Sequence, residues 1–287
     1  MSRIGAQEDS HQSYFLSSAI IGTLEVPLQY DMYIGDVIAR WEKAKKSPNR
    51  TLIKQVSTLN VVDTYQPEIF LKKMFYYSNF FDEQELFSVH RDTVTKRVTS
   101  CNTLLLQNTF YQFLIDIKKQ NILITTEEAA PLAACFSASQ RPESPINVTE
   151  EQIHKCFPRS MVESKGQQII QSANENYKDY SKFDSQDAMI EFIKLCYKSS
   201  FFGSIVFSVN MNDTDYFLAV FVNKILLIKV SDLSISHKIN FDEIATITPT
   251  SSTVKITYGN LMQQDSIQFN SYQGDDIVFA YNKYLKK

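Results

Sequence analysis

The residue types that most often carry enzyme chemistry are few in this chain. The four histidines stand alone in the sequence: His11, His90, His154 and His237. The four cysteines include no pair at the CxxC spacing that zinc and redox sites use: Cys101, Cys135, Cys156 and Cys196. We therefore expect free thiols in helical cores, with no disulfide, no metal site and no catalytic residue.

The distribution of glycine excludes the common nucleotide-binding loops. The seven glycines are widely spaced: Gly5, Gly22, Gly35, Gly166, Gly203, Gly259 and Gly274. Neither GxGxxG nor GxxxxGK[ST] occurs, the two patterns whose backbone amides hold phosphates. The hydrolase and zinc-protease patterns GxSxG and HExxH do not occur either. The sequence therefore predicts a protein that is not an enzyme and needs no cofactor.

Charge and hydropathy argue against two further classes of protein. The 29 basic and 32 acidic residues leave a net charge of -3 and no basic arm, so we expect no nucleic-acid binding. No apolar run approaches the roughly 20 residues that cross a bilayer, and the start MSRIGAQEDSHQ lacks the apolar stretch of a signal peptide. We expect a cytoplasmic protein with two or three compact units.

Residues 203–287 have the pattern of a β-barrel that is closed by one helix. Seven short runs are rich in β-branched and aromatic residues and bounded by turn formers: GSIVFSV, YFLAVFV, KILLIKV, ISHKIN, EIATITP, TVKITY and DSIQF. An amphipathic helix from Gln273 to the end follows them. Seven strands and one helix are typical of pleckstrin-homology (PH) and phosphotyrosine-binding (PTB) barrels.

The preceding residues are predicted to be mainly helical after a short region of mixed structure. Near the start, the pattern predicts two strands and one helix: Tyr14–Ile21, Thr23–Leu28 and Ile34–Lys46. Further on, periodic apolar residues predict three helices: Val94–Lys118, Ser164–Tyr177 and Ser185–Ser199. Thr125 precedes Glu128 by three residues, the spacing of a capping box, so another helix is expected to begin there.

Four stretches in this order resemble a FERM domain (four-point-one, ezrin, radixin, moesin). They are YIGDVIARWEK (33–43), IFLKKMFY (69–76), LLLQNTFYQFLIDIKKQNILITTEEAAPLAA (104–134) and DAMIEFIKLCYKSSFFGSIVFSV (187–209). The second resembles the lysine-bearing strand that opens the middle lobe of a FERM domain, and the last resembles the step from the middle lobe into the barrel. The detail is most similar to FERM domains in unconventional myosin tails of the myosin VII type, with talin-like FERM domains next.

The resemblance implies an α+β fold, a multi-lobed FERM-like cloverleaf. Its expected lobes are a short or incomplete ubiquitin-like lobe (1–66), a helical middle lobe like acyl-CoA-binding protein (67–200), and a PH/PTB-like seven-stranded barrel with a C-terminal helix (201–287). The first lobe is shorter than a complete ubiquitin-like unit. Either it is degenerate or the chain begins inside it.

The resemblance also implies a function, a non-enzymatic cytoskeletal adaptor. Such a module links actin or a myosin tail to the cytoplasmic tails of membrane proteins or to cytoskeletal partners at the cell cortex. The alternative is a peripheral membrane module that binds anionic phosphoinositides at the plasma membrane. Neither expectation identifies the parent protein, the partner or the oligomeric state.

Two sets of residues are candidate sites under these two hypotheses. A PTB barrel accepts an extended peptide beside its fifth strand and its C-terminal helix, and the corresponding residues are Ile244, Ala245, Thr246, Ile247, Thr248 and Phe279. Contact with a lipid or an acidic partner needs several cations, and the candidates are Lys43, Lys45, Lys46, Lys224, Lys229 and Lys238.

Overall fold

The computed structural model describes residues 14–21, 24–28, 68–73, 81–141, 145–260 and 262–285, together with residues 33, 35, 36, 38 and 39. The described residues divide into two compact units between Phe202 and Gly203.

The first unit begins with a small antiparallel sheet. Its strands are β1 (Tyr14–Ile21), β2 (Leu24–Pro27) and β3 (Glu68–Lys73), in the order β2-β1-β3. β1 and β2 confirm the two predicted strands. β3, which the sequence assigns to the start of the middle lobe, pairs with β1 from Glu68 to Lys73. Of the predicted helix Ile34–Lys46, residues 35, 36, 38 and 39 are helical, and the others lie outside the described residues.

The predicted helix Val94–Lys118 is wrong over its first nine residues. After a short helix α1 (Glu83–Phe87), the strands β4 (His90–Arg91) and β5 (Val98–Ser100) form a hairpin, and α2 begins only at Thr103 and ends at Lys118. The side chain of Asp92 accepts hydrogen bonds from the N–H groups of Val94 and Thr95 and turns the chain. Residues 90–100 are rich in turn-forming and β-branched side chains, which favour a hairpin. The prediction rested on helical periodicity alone and did not separate them from the helix.

The rest of the first unit is a helical bundle. Its elements are α3 (Thr126–Gln140), α4 (Glu150–Cys156), α5 (Arg159–Asn176), a 3-10 helix (Lys178–Lys182) and α6 (Ser185–Lys198). The capping box is confirmed, because Thr125 N donates to Glu128 Oε2 (2.8 Å) and Glu128 N donates to Thr125 Oγ1 (3.3 Å). α3 is buried on all sides from residue 129 to residue 139. Its run of small side chains allows neighbouring helices to pack closely around it.

The second unit is the predicted barrel. Its strands are β6 (Ile205–Met211), β7 (Thr214–Val220), β8 (Lys224–Lys229), β9 (Ile235–Asn240), β10 (Ile244–Pro249), β11 (Thr253–Gly259) and β12 (Gln264–Asn270). They form one antiparallel sheet in the order β10-β11-β12-β6-β7-β8-β9. A 3-10 helix (Phe241–Glu243) joins β9 to β10, and the closing helix is α7 (Gly274–Leu285). The seven predicted strands and the C-terminal helix are thus confirmed.

The core of the barrel lies between the sheet and α7. In β11 and β12 alternate residues are buried, among them Ile256 and Phe269, as the period of two in a strand requires. β7 and β8 are buried along consecutive residues, which include Leu218 and Ile225. At the end of α7, Tyr284 donates its hydroxyl hydrogen to Gly203 O (3.0 Å). This bond fixes the helix against the start of the barrel.

Candidate peptide-binding groove

The barrel sheet has two edge strands, β10 and β9. An edge strand presents one row of backbone N–H and C=O groups that its own sheet does not use. An extended peptide can pair with such a row, so each edge is a possible peptide site.

The register of β10 shows which of its backbone groups face outward. Thr250 N donates to Thr253 O (2.8 Å) at the turn, and hydrogen-bonded and non-hydrogen-bonded pairs alternate along an antiparallel ladder. Thr248 and Thr246, opposite Lys255 and Thr257, therefore bond to β11. The N–H and C=O groups of Ile247, which lies between them, face the free edge.

Two features limit the free edge of β10. Pro249 and Val254 form a pair of the non-hydrogen-bonded type, so the nitrogen of Pro249 faces the free edge and, because it carries no hydrogen, offers no donor there. A bulge interrupts the register between Ile244 and Thr246, at Ala245. The regular edge is therefore short and centres on Ile247, and β10 carries no charged side chain along its length.

One face of α7 lies against β10. A Cβ atom placed on Gly274 would come within 2.8 Å of Pro249 Cβ, so the backbone of the helix approaches the end of the strand closely. Near the other end of α7, the ring of Tyr281 packs edge to face against the ring of Phe241, with ring centroids 4.7 Å apart. Phe241 lies just before β10. Burial raises the pKa of the Tyr281 hydroxyl. Gly274 and Tyr281 share a helix face with Val278, which is therefore placed toward the middle of β10.

The structure brings five of the six candidate groove residues together on β10. Their side chains point to the two sides of the sheet. Ile244 and Ile247 are half-buried, whereas Ala245, Thr246 and Thr248 are exposed. The sixth candidate, Phe279, is half-buried on α7 and follows Val278 by one position, so it points about 100° away from the face toward β10. Val278 and Tyr281 are the helix residues that the sequence analysis missed. The spacing of residues 274, 278 and 281 was the available signal.

The other edge strand, β9, is protected. Phe241 N donates to Asn223 O (3.0 Å), and by the same alternation the backbone groups of Asn240 and Lys238 face outward. The carboxylate of Glu243 accepts a hydrogen bond from Asn240 N (2.9 Å) and so occupies one of the donors. A lysine on the edge and an occupied donor both oppose strand addition.

The candidate lysines lie in different places. Lys224 is paired with Asn240, and Lys238 with Leu226, so the two lysines lie diagonally on the same face of the sheet. Lys224 Nζ is 4.9 Å from the centroid of the Phe221 ring. Lys229 is at the opposite end of β8, opposite Tyr216, and on the other face. Lys43, Lys45 and Lys46 lie outside the described residues.

The described residues show neither a metal-binding cluster nor a membrane-spanning helix. No group of three or more His, Cys, Asp and Glu side chains among them could hold a metal ion. None of the helices in the same part of the chain is long and apolar enough to cross a membrane.

The middle of the chain is similar to a known family. Residues 94–207 match the family model of the FERM central domain. This range contains the α2–α6 bundle and reaches the beginning of β6. A comparison with curated proteins returned no match.

Solved structures match almost the whole chain. The MyTH4-FERM MF2 domain of Dictyostelium discoideum myosin VII (mutant 1) is 17% identical with a TM-score of 0.67, over 99% of this chain and 53% of that chain. The C-terminal MyTH4-FERM domain of human myosin 7b, in complex with the harmonin-a PDZ3 domain, is 14% identical with a TM-score of 0.59, over 99% and 53%. The complex of the FERM and C-terminal domains of Drosophila Merlin is 13% identical with a TM-score of 0.50, over 99% and 87%.

At these identities the likeness shows the fold, and the chain spans about half the length of the myosin structures that it matches. The family model and the structural matches agree with each other and with the resemblance found in the sequence. Residues 94–207 are therefore similar to the FERM central domain, and the chain shares its fold with about half of the myosin VII MyTH4-FERM structure.

Proposed function

We propose that this chain is a non-enzymatic adaptor that binds the cytoplasmic tails of membrane proteins or cytoskeletal partners, with the groove between β10 and α7 as its peptide site. The observation that carries the proposal is the uncharged free edge of β10 beside the Val278 and Tyr281 face of α7. An extended peptide would pair with Ile247 through its backbone and place an apolar side chain against α7.

The lobe organisation and the cellular location belong to the same proposal. Residues 1–66, 67–200 and 201–287 would be the three FERM lobes, with the third as the PH/PTB-like one. The module would serve as the cargo-binding end of a myosin tail, or as a comparable link to actin, at the cell cortex beneath the plasma membrane. Support comes from the myosin MyTH4-FERM structures that share the fold, one of which is in complex with a PDZ domain.

The test of the groove uses peptides that are selected from a displayed random library on the intact chain. Ile247→Pro removes the outward-facing N–H, and Ile247→Ala is its control because it shortens the same side chain and keeps that N–H. We expect Ile247→Pro to bind the selected peptides about fivefold more weakly than Ile247→Ala, the effect of one lost hydrogen bond of about 1 kcal/mol. Fluorescence polarisation measures both affinities, after circular dichroism has shown that both variants are folded.

Equal affinities of the two folded variants would contradict strand addition at Ile247. Thr246→Pro is unsuitable for this purpose because the N–H of Thr246 faces β11. That substitution is expected to destabilise the barrel itself.

The alternative function, binding of anionic phosphoinositides, is favoured by one observation, the diagonal placement of Lys224 and Lys238 on one face of the sheet. If that face binds lipid, Lys224→Ala/Lys238→Ala should reduce co-sedimentation with vesicles that contain phosphoinositide, since each near-surface cation contributes about 1 kcal/mol. Lys229→Ala, on the other face, is the matched control. Sedimentation that is unchanged in the double variant would exclude this face as a lipid site.

A further inference from the structure

Helix α2, in the first unit, carries apolar side chains on its outer face as well as on its buried one. The inner face is buried, with Leu106, Phe110 and Phe113 among its residues. On the outer face, Leu104, Tyr111 and Ile115 remain 48%, 52% and 53% exposed. Together with Asn108 they follow a spacing of four, three and four residues, which places them on one line along the helix. We call residues 104, 108, 111 and 115 the α2 stripe.

The charge along α2 is one-sided. Its only acidic residue, Asp116, is buried, and Gln112 and Asn121 donate hydrogen bonds to its carboxylate. Lys118 is exposed in the last turn, and the first turn has no acidic residue. The exposed charge that α2 itself contributes is therefore positive, and it lies at the C-terminal end of the stripe.

We propose that the α2 stripe is the docking site for an amphipathic helix of a partner protein, with acidic residues in its first turn. A spacing of three and four residues is the one at which side chains of two packed helices interlock. A partner helix that runs antiparallel to α2 places its N-terminal turn beside Lys118. Acidic residues are favourable at a helix N-terminus, and there they would also face the lysine. This site lies in a different unit from the β10 groove and binds a different peptide conformation.

Two other occupants fit the charges of α2 less well. In an antiparallel pair of two copies of this chain, Lys118 of one copy would face the N-terminal end of the other α2. That end is partially positive and has no acidic residue to pair with a lysine. A membrane surface is favoured by cations along both sides of an apolar stripe. Here the side chains that flank the middle of the stripe are the uncharged Gln107 and Gln112, and the lysines, Lys118 and Lys119, lie only at its C-terminal end.

The probe is a displayed library of amphipathic helical peptides. Leucine is constant at the positions spaced by three and four, and each first-turn position is either Glu or Lys. We expect selection on the intact chain to enrich Glu in the first turn, and selection on Lys118→Glu to enrich Lys instead. We also expect Tyr111→Glu/Ile115→Glu to bind the enriched peptides about tenfold more weakly or worse, as at a central contact.

The matched control is Gln167→Glu/Gln168→Glu, which adds the same charge to exposed positions of α5 and should leave the affinity unchanged. Thermal unfolding by circular dichroism shows whether each variant keeps the fold. Four outcomes overturn the proposal: no enrichment beyond a library with scrambled leucines, no exchange of Glu for Lys with Lys118→Glu, full binding by the folded Tyr111→Glu/Ile115→Glu variant, or a wild-type dimer in sedimentation that this variant dissolves. The last outcome would assign the stripe to a second copy.

Discussion

Replacing Arg91 with alanine is expected to lower the free energy of unfolding of the first unit by about 2 to 4 kcal/mol. The guanidinium binds Glu83 through two hydrogen bonds of 2.6 and 2.9 Å, Lys96 O at 2.8 Å, and Asp187. Asp187 is buried at the start of α6. Loss of Arg91 would leave this buried carboxylate without its cation and release the β4–β5 hairpin from α6. Because Arg91 is itself about a quarter exposed (28%), the upper part of the usual range for buried pairs does not apply.

The effect of Arg91→Ala should also depend on pH. Burial raises the pKa of Asp187, and Arg91 opposes that rise. A carboxyl group with a raised pKa holds its proton more tightly in the folded state, so stability falls as pH rises from the unfolded value of about 4 toward the folded one. Without Arg91 the pKa of Asp187 should rise further. We therefore expect a larger deficit relative to wild type at neutral pH than near pH 4.

Urea unfolding followed by circular dichroism at both pH values measures this effect. Arg159→Ala is the matched control, because Arg159 pairs with Glu163 on the surface of α5 with both side chains more than half exposed. It should change stability by no more than about 0.5 kcal/mol. Arg91→Ala/Asp187→Asn should lose the pH dependence. A deficit for Arg91→Ala no greater than that of Arg159→Ala would show that Asp187 does not need its cation.

The barrel could be predicted closely from the sequence because each of its strands is a local pattern. Runs such as KILLIKV combine β-branched residues with turn formers on both sides, and the strand Lys224–Lys229 lies inside that run. The capping box at Thr125 was recognisable for the same reason, since its two residues are three positions apart. Elements that depend on local propensity and turn chemistry can be found without knowledge of their neighbours.

The details of the candidate groove depend on contacts that a sequence pattern does not contain. The register of β10 against β11 determines which of its backbone groups face outward, and the bulge at Ala245 ends the regular edge. The choice of Phe279 rather than Val278 depended on how α7 is rotated, which its contacts with Pro249 and Phe241 determine. Arg91 and Asp187 are likewise 96 positions apart. Contacts between residues so far apart in the sequence cannot be predicted from a local pattern.

Phe110→Ala is expected to have the largest effect on stability, a loss of about 3 to 5 kcal/mol. Phe110 is fully buried in α2, and its ring lies 5.0 Å from that of Phe192 in α6 and 6.4 Å from that of Phe136 in α3. One side chain therefore joins three helices of the bundle. Alanine leaves a cavity among them, and surrounding side chains relax into such a cavity only in part. Urea unfolding followed by circular dichroism measures the loss.

The neighbouring Tyr111 provides the control for Phe110 within the same helix. It is also aromatic but 52% exposed, and its ring meets that of Phe110 at 5.5 Å, so Tyr111→Ala should cost at most about 1 kcal/mol. Phe110→Leu, which keeps most of the buried volume, should fall between the two. Hydrogen exchange should show the loss of protection caused by Phe110→Ala in α2, α3 and α6 together. Loss confined to α2 would mean that the three helices do not form one cooperative core around this ring.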